Sequence, residues 1–171
     1  LWIATIDRPD KANSLTEAML TELAEIAEAA HEARVLVLTG AGKVFSAGAD
    51  LDAARAGLAL SPLWERLSGA LAALPCQPIA ALNGTVAGGA MGMVLSCDIR
   101  IATPQAKAFY PVMKLGFLPQ PSDPPRMAAL VGPARTKMIF MGGVKINAAT
   151  ACDWGLYDQI VEGDLMDEVR G

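Results

Sequence analysis

Two loops of small residues offer the clearest means of doing chemistry in this chain, and they offer it through backbone rather than side chains. One is Phe45-Ser46-Ala47-Gly48-Ala49-Asp50-Leu51. The other lies within Asn83 to Asp98, N-G-T-V-A-G-G-A-M-G-M-V-L-S-C-D. An apolar run, Ile79 to Leu82, leads into the second loop and reads as a buried strand. Asn83-Gly84 signals a turn. Gly88-Gly89 then opens an apolar segment, Ala90 to Cys97, long enough for about two helical turns. A helix start leaves N–H groups unpaired and carries partial positive charge. Glycine lets a ligand approach that backbone with no Cβ in the way. Such a turn can bind an anion or stabilise a developing oxyanion. A plain helix start, with glycines for close packing, would carry the same sequence. If the strands feeding the two loops are neighbours, N–H groups from both can converge on one oxygen. That arrangement suits an acyl thioester whose carbonyl becomes an enolate.

Other chemistries start low. No G-x-S-x-G surrounds Ser46, Ser96 or Ser122, no Walker pattern occurs, and Gly88-Gly89-x-x-Gly92 lacks the G-x-G-x-x-G spacing of dinucleotide binders. The only histidine, His31, sits near the end of a charged helical stretch, which disfavours histidine-based triads. Cys76, Cys97 and Cys152 form no C-x-x-C, so no zinc or other metal site and no redox motif is expected. Buried free thiols in a reducing compartment account for them. A net charge of -4 argues against a nucleic-acid partner. No apolar run reaches the ~18 residues that would cross a bilayer, so no membrane partner is expected. No signal peptide is visible, and the expected location is cytoplasmic. Asn83-Gly84-Thr85 matches a glycosylation pattern but falls in a buried-looking turn, so it is read as chance.

The elements that must position the loops follow from periodicity. The 171 residues suit one domain, 1–171, with an aliphatic core: 53% are hydrophobic and only 5% aromatic. At this size roughly 70% of the unfolded surface is buried. Leu1 to Ile6 reads as a strand. Ser14 with Glu17 predicts a capping box for an amphipathic helix running to about Ala33, with Met19, Leu23, Ile26 and Ala30 on one face. Strands are expected at Arg34 to Thr39, Lys43 to Phe45, Ile99 to Ala102, Ala106 to Tyr110 and Tyr157 to Val161. Helices are expected at Pro62 to Leu74, Arg126 to Val131, Pro133 to Gly142, Asn147 to Trp154 and from Leu165 onward. Pro111 to Gly116 reads as irregular. Strands alternate with helices, which predicts an α/β domain with parallel strands. A start in mid-strand and an end just inside a helix predict truncation at both ends.

Four motifs, in order, then carry a resemblance: D-R-P-x-K-A-N-S-L (Asp7 to Leu15), V-L-T-G-A-G-K-V-F-S-A-G-A-D-L (Val37 to Leu51), A-L-N-G-T-V-A-G-G-A (Ala81 to Ala90) and C-D-I-R-I-A (Cys97 to Ala102). Together they resemble the crotonase, or enoyl-CoA hydratase/isomerase, family over nearly the whole chain. The resemblance implies a spiral of β-β-α units, assembled as a homotrimer or hexamer, with the family's C-terminal helical segment missing here. It implies an acyl-CoA thioester substrate, with coenzyme A part of the substrate and no further cofactor. Its oxyanion-hole donors fall on the N–H groups of Ala49 and Gly89. Its substrate contacts fall on Lys11, Ala12, Ala47, Asp50 and Leu51, with Gly88 beside them. Arg8, Lys11 and Lys43 are candidate phosphate neighbours, each equally readable as ordinary surface charge.

The departures are as telling. The two glutamates that position and activate water in hydratases of the family would sit at Gly92 and Val112, and neither residue moves a proton. The position of the aspartate in dienoyl isomerases is Gln120. The usual glycine-rich turn after it is replaced by Gln120-Pro121-Ser122-Asp123-Pro124-Pro125. Since acid–base groups contribute about 10²- to 10⁴-fold each, ordinary hydration should be poor. Isomerisation, decarboxylation or another lyase reaction fits better, and a non-catalytic acyl-CoA-binding or assembly subunit is the alternative. Asp123 is the first candidate to replace the lost groups, because an ionisable group amid prolines beside an apolar pocket can have a raised pKa. A turn aspartate capping the helix Arg126 to Val131 is the simpler reading of the same residue. Tyr110 is the second candidate, and it also reads as packing. Met91, Met93 and Met113 are expected either at the acyl pocket or in the core.

Overall fold

The computed structural model describes residues 1–171. The large sheet runs β1 (Trp2–Ile6), β2 (Val35–Gly40), β4 (Gln77–Leu82), β6 (Ile99–Ala102) and β8 (Gln159–Ile160), in that spatial order and all parallel. β3 (Val44–Ser46), β5 (Thr85–Ala87) and β7 (Ala108–Phe109) form a second, parallel sheet. β2, β4 and β6 each continue, after a short connection, into a strand of the small sheet. That is a repeated β-β-α unit. The central strands are buried on both faces, which explains their near-continuous apolar sequence.

The turns between sheets are held by asparagine. Asn83 accepts from the Gly40 N–H through Oδ1 (3.0 Å) and donates to the carbonyls of Gly42 (3.0 Å) and Val44 (3.1 Å). Its side chain is consumed in tying one turn to the next. At Gly84 a Cβ would lie 2.0 Å from the Lys43 carbonyl oxygen, so only glycine fits. β5 itself was not expected. Three residues between two glycine-bearing turns give no periodicity to read.

α1 (Glu17–Ala29) is capped two residues later than the expected capping box. Thr16 is the cap, accepting from the Met19 N–H at 3.3 Å, while Ser14 accepts from Arg8. Its buried face is Leu20, Leu23, Ala24 and Ala27, with Met19 and Ile26 at the margin. α2 (Leu51–Arg55) follows the first loop, and α3 (Leu63–Ala72) packs on α1. α4 (Met91–Leu95) follows the second loop through a short 3₁₀ turn, Gly88–Ala90. The expected irregular segment is a 3₁₀ helix, Pro111–Leu115. α5 (Asp123–Val131) begins three residues before the expected Arg126, because Pro124 and Pro125 fit a first turn, where no N–H partner is needed. α6 (Pro133–Phe140) and α7 (Ala148–Trp154) follow. Asn147 caps α7 from its side chain, and Gly155 stops it at φ +84°. α8 (Leu165–Arg170) covers the far face of the large sheet, where Val37, Ile79, Ala81 and Ile101 form a small cluster with Leu165.

The main core lies on the opposite face. Met91 and Met93 are buried in it and do not line the cavity that Ala49 and Gly89 border, whereas Met113 is exposed. Burial pushes the Cys97 thiol up to about 12, so it is inert. No helix is long and apolar enough to cross a membrane.

Candidate active site

The first loop is built by residues 12–15. The Ala47 N–H donates to the Ala12 carbonyl (3.0 Å), the Leu15 N–H to the Gly48 carbonyl (2.7 Å), and the Asp50 N–H to the Leu15 carbonyl (2.9 Å). These bonds bracket Ala49 and leave its own N–H without an acceptor in the chain. Ser46 Oγ donates to the Asn13 carbonyl (2.8 Å) and accepts from the Gly48 N–H (3.2 Å). Asp50 caps α2, accepting from the N–H groups of Asp52 and Ala53, and its other oxygen takes Arg8 Nη1 at 2.9 Å. The Ala53 N–H and the Arg8 guanidinium hold its carboxyl below the ordinary range.

Asn13 was not singled out in the sequence, yet it sets this corner. It is fully buried at φ 53°, accepts from the Arg8 N–H (2.8 Å), and donates to the carbonyls of Ala41 (2.9 Å) and Val44 (2.7 Å). Its place in the run K-A-N-S-L was the only available signal.

The second loop lies against the first. β3 and β5 are parallel neighbours, so the loops that follow them leave the small sheet side by side. Gly48 has φ +90°, and a Cβ there would stand 2.8 Å from the Ala87 carbonyl oxygen. Gly88 takes φ +57°, and a Cβ on Gly89 would meet the Trp64 ring at 3.0 Å. Trp64 comes from α3 and is fixed by its Nε1 donating to the Leu58 carbonyl at 2.7 Å. Sequence reading passed over this tryptophan, which offered only a helical position.

Both loops open on one apolar cavity of about 360 Å³. Ala49 and Gly89 line it, with Trp64, Tyr110 and Val112 opposite or beside them. Of the expected substrate contacts, Ala12, Ala47, Leu51 and Gly88 also line it. Lys11 and Asp50 lie in an adjoining shallower depression that shares Ala47, Ala49 and Leu51 with the cavity. Arg8 is spent on Asp50, and Asp52 is paired with Arg55 at the surface. No group of three His, Cys, Asp or Glu side chains could hold a metal ion.

Asp123 sits one layer behind the cavity wall. It is fully buried and does not line the cavity. Tyr110 Oη donates to its Oδ2 at 2.5 Å, while Oδ1 has no partner. It does not cap α5: it is the helix's first residue, and the Ser122 before it makes no side-chain cap. The Tyr110 ring is fixed against Phe140, centroids 4.5 Å apart, and its Oη accepts from the Gln120 N–H at 3.4 Å. The Gln120 side chain is turned to the Ala59 carbonyl (3.0 Å). Glu65 of α3 holds the loop, accepting from Ser122 N–H (3.1 Å) and Ser122 Oγ (2.5 Å).

Burial raises the Asp123 carboxyl to about 6. The Tyr110 hydrogen bond opposes that rise, the Glu65 charge adds to it, and Arg126 opposes it. Burial, then the neighbouring Asp123 charge, pushes the Tyr110 phenol well above its ordinary range. A neutral phenol therefore bonds to a carboxyl that titrates near neutrality.

Residues 2–170 match the sequence profile of the enoyl-CoA hydratase/isomerase family. The chain belongs to that family, and its fold is the crotonase fold. Among curated relatives, the 1,2-epoxyphenylacetyl-CoA isomerase of Escherichia coli is 32% identical over 95% of this chain and 66% of its own length. The probable enoyl-CoA hydratase of Rhodobacter capsulatus is 35% identical over 91% of this chain and 63% of its own. The enoyl-CoA hydratase of Bacillus anthracis superposes with a TM-score of 0.86 at 32% identity, covering 98% of this chain and 70% of that one. The chain thus spans about two thirds of the length of the curated relatives it matches.

Proposed function

We propose that this chain forms the acyl-CoA site of an enzyme that stabilises a thioester enolate, with the N–H groups of Ala49 and Gly89 as the two oxyanion donors. One observation carries the reading: two loops in van der Waals contact bring both residues to the wall of one apolar cavity, and the Ala49 N–H is unclaimed within the chain. Each such donor contributes about 3 kcal/mol to the transition state. Substrate is held by the thioester oxygen at this point and by acyl burial beneath Trp64. The coenzyme lies along Lys11 and Asp50. Coenzyme A enters as part of the substrate, and no further cofactor is invoked. A homotrimer or hexamer and a cytoplasmic location accompany the proposal.

The reaction class is isomerisation, decarboxylation or another lyase step rather than ordinary hydration. Gly92 is buried and Val112 presents an aliphatic wall, so neither can activate water. Decarboxylation needs no base at Cα, because loss of CO₂ itself makes the enolate. The same two residues favour the second reading, a subunit that binds acyl-CoA without turning it over.

Calorimetry with crotonyl-CoA, 3-butenoyl-CoA and methylmalonyl-CoA, followed by mass analysis of products, separates the readings. Binding with isomerised or decarboxylated product and little hydration is expected. Binding without any product supports the non-catalytic subunit. Rapid hydration of crotonyl-CoA overturns the exclusion drawn from Gly92 and Val112. Failure to bind any of the three overturns both readings.

A further inference from the structure

We infer that Asp123 stands in for the side chain absent at Gly92, and that it exchanges protons with the acyl cavity through Tyr110, the two forming a relay. The inference rests on the acyl-CoA reading above and adds the proton path that reading lacks.

Three observations carry it. First, a Cβ on Gly92 would lie 2.8 Å from Asp123 Oδ1, 3.3 Å from Oδ2 and 3.4 Å from Cγ. The carboxyl group therefore fills the volume that a residue on α4 would claim, and glycine is what makes room for it. Second, Asp123 is fully buried with Oδ1 unpartnered, whereas its Oδ2 is committed to Tyr110. A buried carboxyl with one oxygen unsatisfied is costly as a fixture of the core, and its presence calls for a role. Third, Tyr110 is the member of the pair that lines the cavity, as does Gln120, whose N–H meets the same phenolic oxygen.

The relay runs in either direction with protons conserved. In the observed geometry the phenol donates to the carboxylate. When a substrate Cα–H bond breaks, its proton passes to the phenolic oxygen as the phenolic proton passes to Asp123, and the enolate oxygen rests on Ala49 and Gly89. When an enolate is quenched, the phenolic proton forms the new C–H bond and the Asp123 acid proton replaces it. Tyr110 stays neutral at the end of each transfer, as its raised pKa requires. The groups facing Asp123 are Tyr110, Glu65 from α3 and Arg126 from α5 itself; α4 presents only Gly92. Tyr110 is thus a catalytic residue, and Asp123 a positioning residue that acts through it.

The test is exchange of the Cα hydrogens of 3-butenoyl-CoA with D₂O, followed by mass spectrometry. Wild-type protein should incorporate deuterium. Tyr110→Phe and Asp123→Asn, which are nearly isosteric, should each lower the exchange rate about 10²- to 10⁴-fold with the thioester dissociation constant unchanged within about twofold. The double variant should be no slower than either alone, because the two residues act as one unit. The pH dependence near 6 should vanish in Asp123→Asn. Gly92→Asp combined with Asp123→Ala should recover part of the rate lost in Asp123→Ala alone, since it returns a carboxyl to the same space. Full exchange by Tyr110→Phe overturns the relay. So does a wild-type protein that binds thioester and exchanges nothing, which leaves acyl-CoA binding standing. Absence of binding fells the functional reading and the relay with it.

Discussion

Gly92 and Asp123 compete for one volume: the carboxyl oxygen Oδ1 lies where a methyl group on residue 92 would be in hard contact, at 2.8 Å. The helix glycine and the buried Asp123 carboxyl are therefore one packing arrangement. In the resemblance, position 92 carries a glutamate on the helix. Here the carboxyl arrives from α5 instead.

Gly92→Ala should therefore destabilise the fold by about 1–3 kcal/mol through overpacking, despite alanine's better helix propensity. The same substitution in an Asp123→Ala background should be neutral or stabilising. Urea unfolding of the four proteins gives the coupling directly. Equal costs in both backgrounds would show that the two residues do not share space.

Asp123 should make stability depend on pH with a definite sign. Its carboxyl is raised from 3.8 in an ordinary setting to about 6 in the fold. Below about pH 4 it is protonated in folded and unfolded chains alike, and its contribution is fully present. As pH rises the unfolded chain releases the proton first, and stability is lost through about pH 6. The loss is about 3 kcal/mol, at about 1.4 kcal/mol per unit. Asp123→Asn should gain on wild type by up to that amount between pH 4 and pH 7. Parallel stability curves for the two proteins would refute it.

Glu65→Gln should move the exchange reaction's pH break downward. The Glu65 charge raises the Asp123 pKa, and glutamine keeps a hydrogen-bonding oxygen for Ser122 without that charge. An unmoved break would mean that Asp123 is not the titrating group.

Gly48→Ala should impair acyl-CoA binding and cost about 1–3 kcal/mol. The residue combines φ +90° with the 2.8 Å approach to the Ala87 carbonyl, so an added methyl forces the two donor-bearing loops apart. Calorimetry with crotonyl-CoA and thermal unfolding read the two effects. Undiminished affinity would show that the spacing of the loops does not matter.

Asn13→Ala should cost about 2–4 kcal/mol, since one N–H donor (Arg8) and two carbonyl acceptors (Ala41 and Val44) lose their partners in a buried corner. Thermal unfolding checks it.

The sequence showed the alternation of strands and helices because β2, β4 and β6 are long enough and apolar enough to carry periodicity. It showed two loops of small residues at strand ends, and the resemblance to the family placed the expected donors in them at Ala49 and Gly89. Pairing of the two loops could be stated only as a condition, since strand order is non-local; β3 beside β5 meets it. Ser14 was misread as a cap because Thr16, two residues on, competes for the same role and Arg8 claims Ser14 from outside the helix. The start of α5 was placed at Arg126 because prolines look like loop from the sequence alone, although they suit a helix's first turn. That error hid the place of Asp123, whose relation to Gly92 links positions 31 residues apart and leaves no local trace. Trp64 and Asn13 act through tertiary contacts that no short pattern encodes.

The two prolines that open α5 have a further effect. The first turn of a helix ordinarily offers amide hydrogens to any carboxylate beside it. Pro124 and Pro125 have none to offer. Asp123 thus stands at a helix entrance stripped of the donors that would keep it ionised, and Oδ1 goes unmet. Burial therefore raises this carboxyl with only the Tyr110 hydroxyl and the Arg126 charge to oppose it. Replacing Pro124 and Pro125 by residues that carry an N–H would offer Oδ1 a donor and pull the Asp123 carboxyl down from about 6 without altering the lining of the cavity.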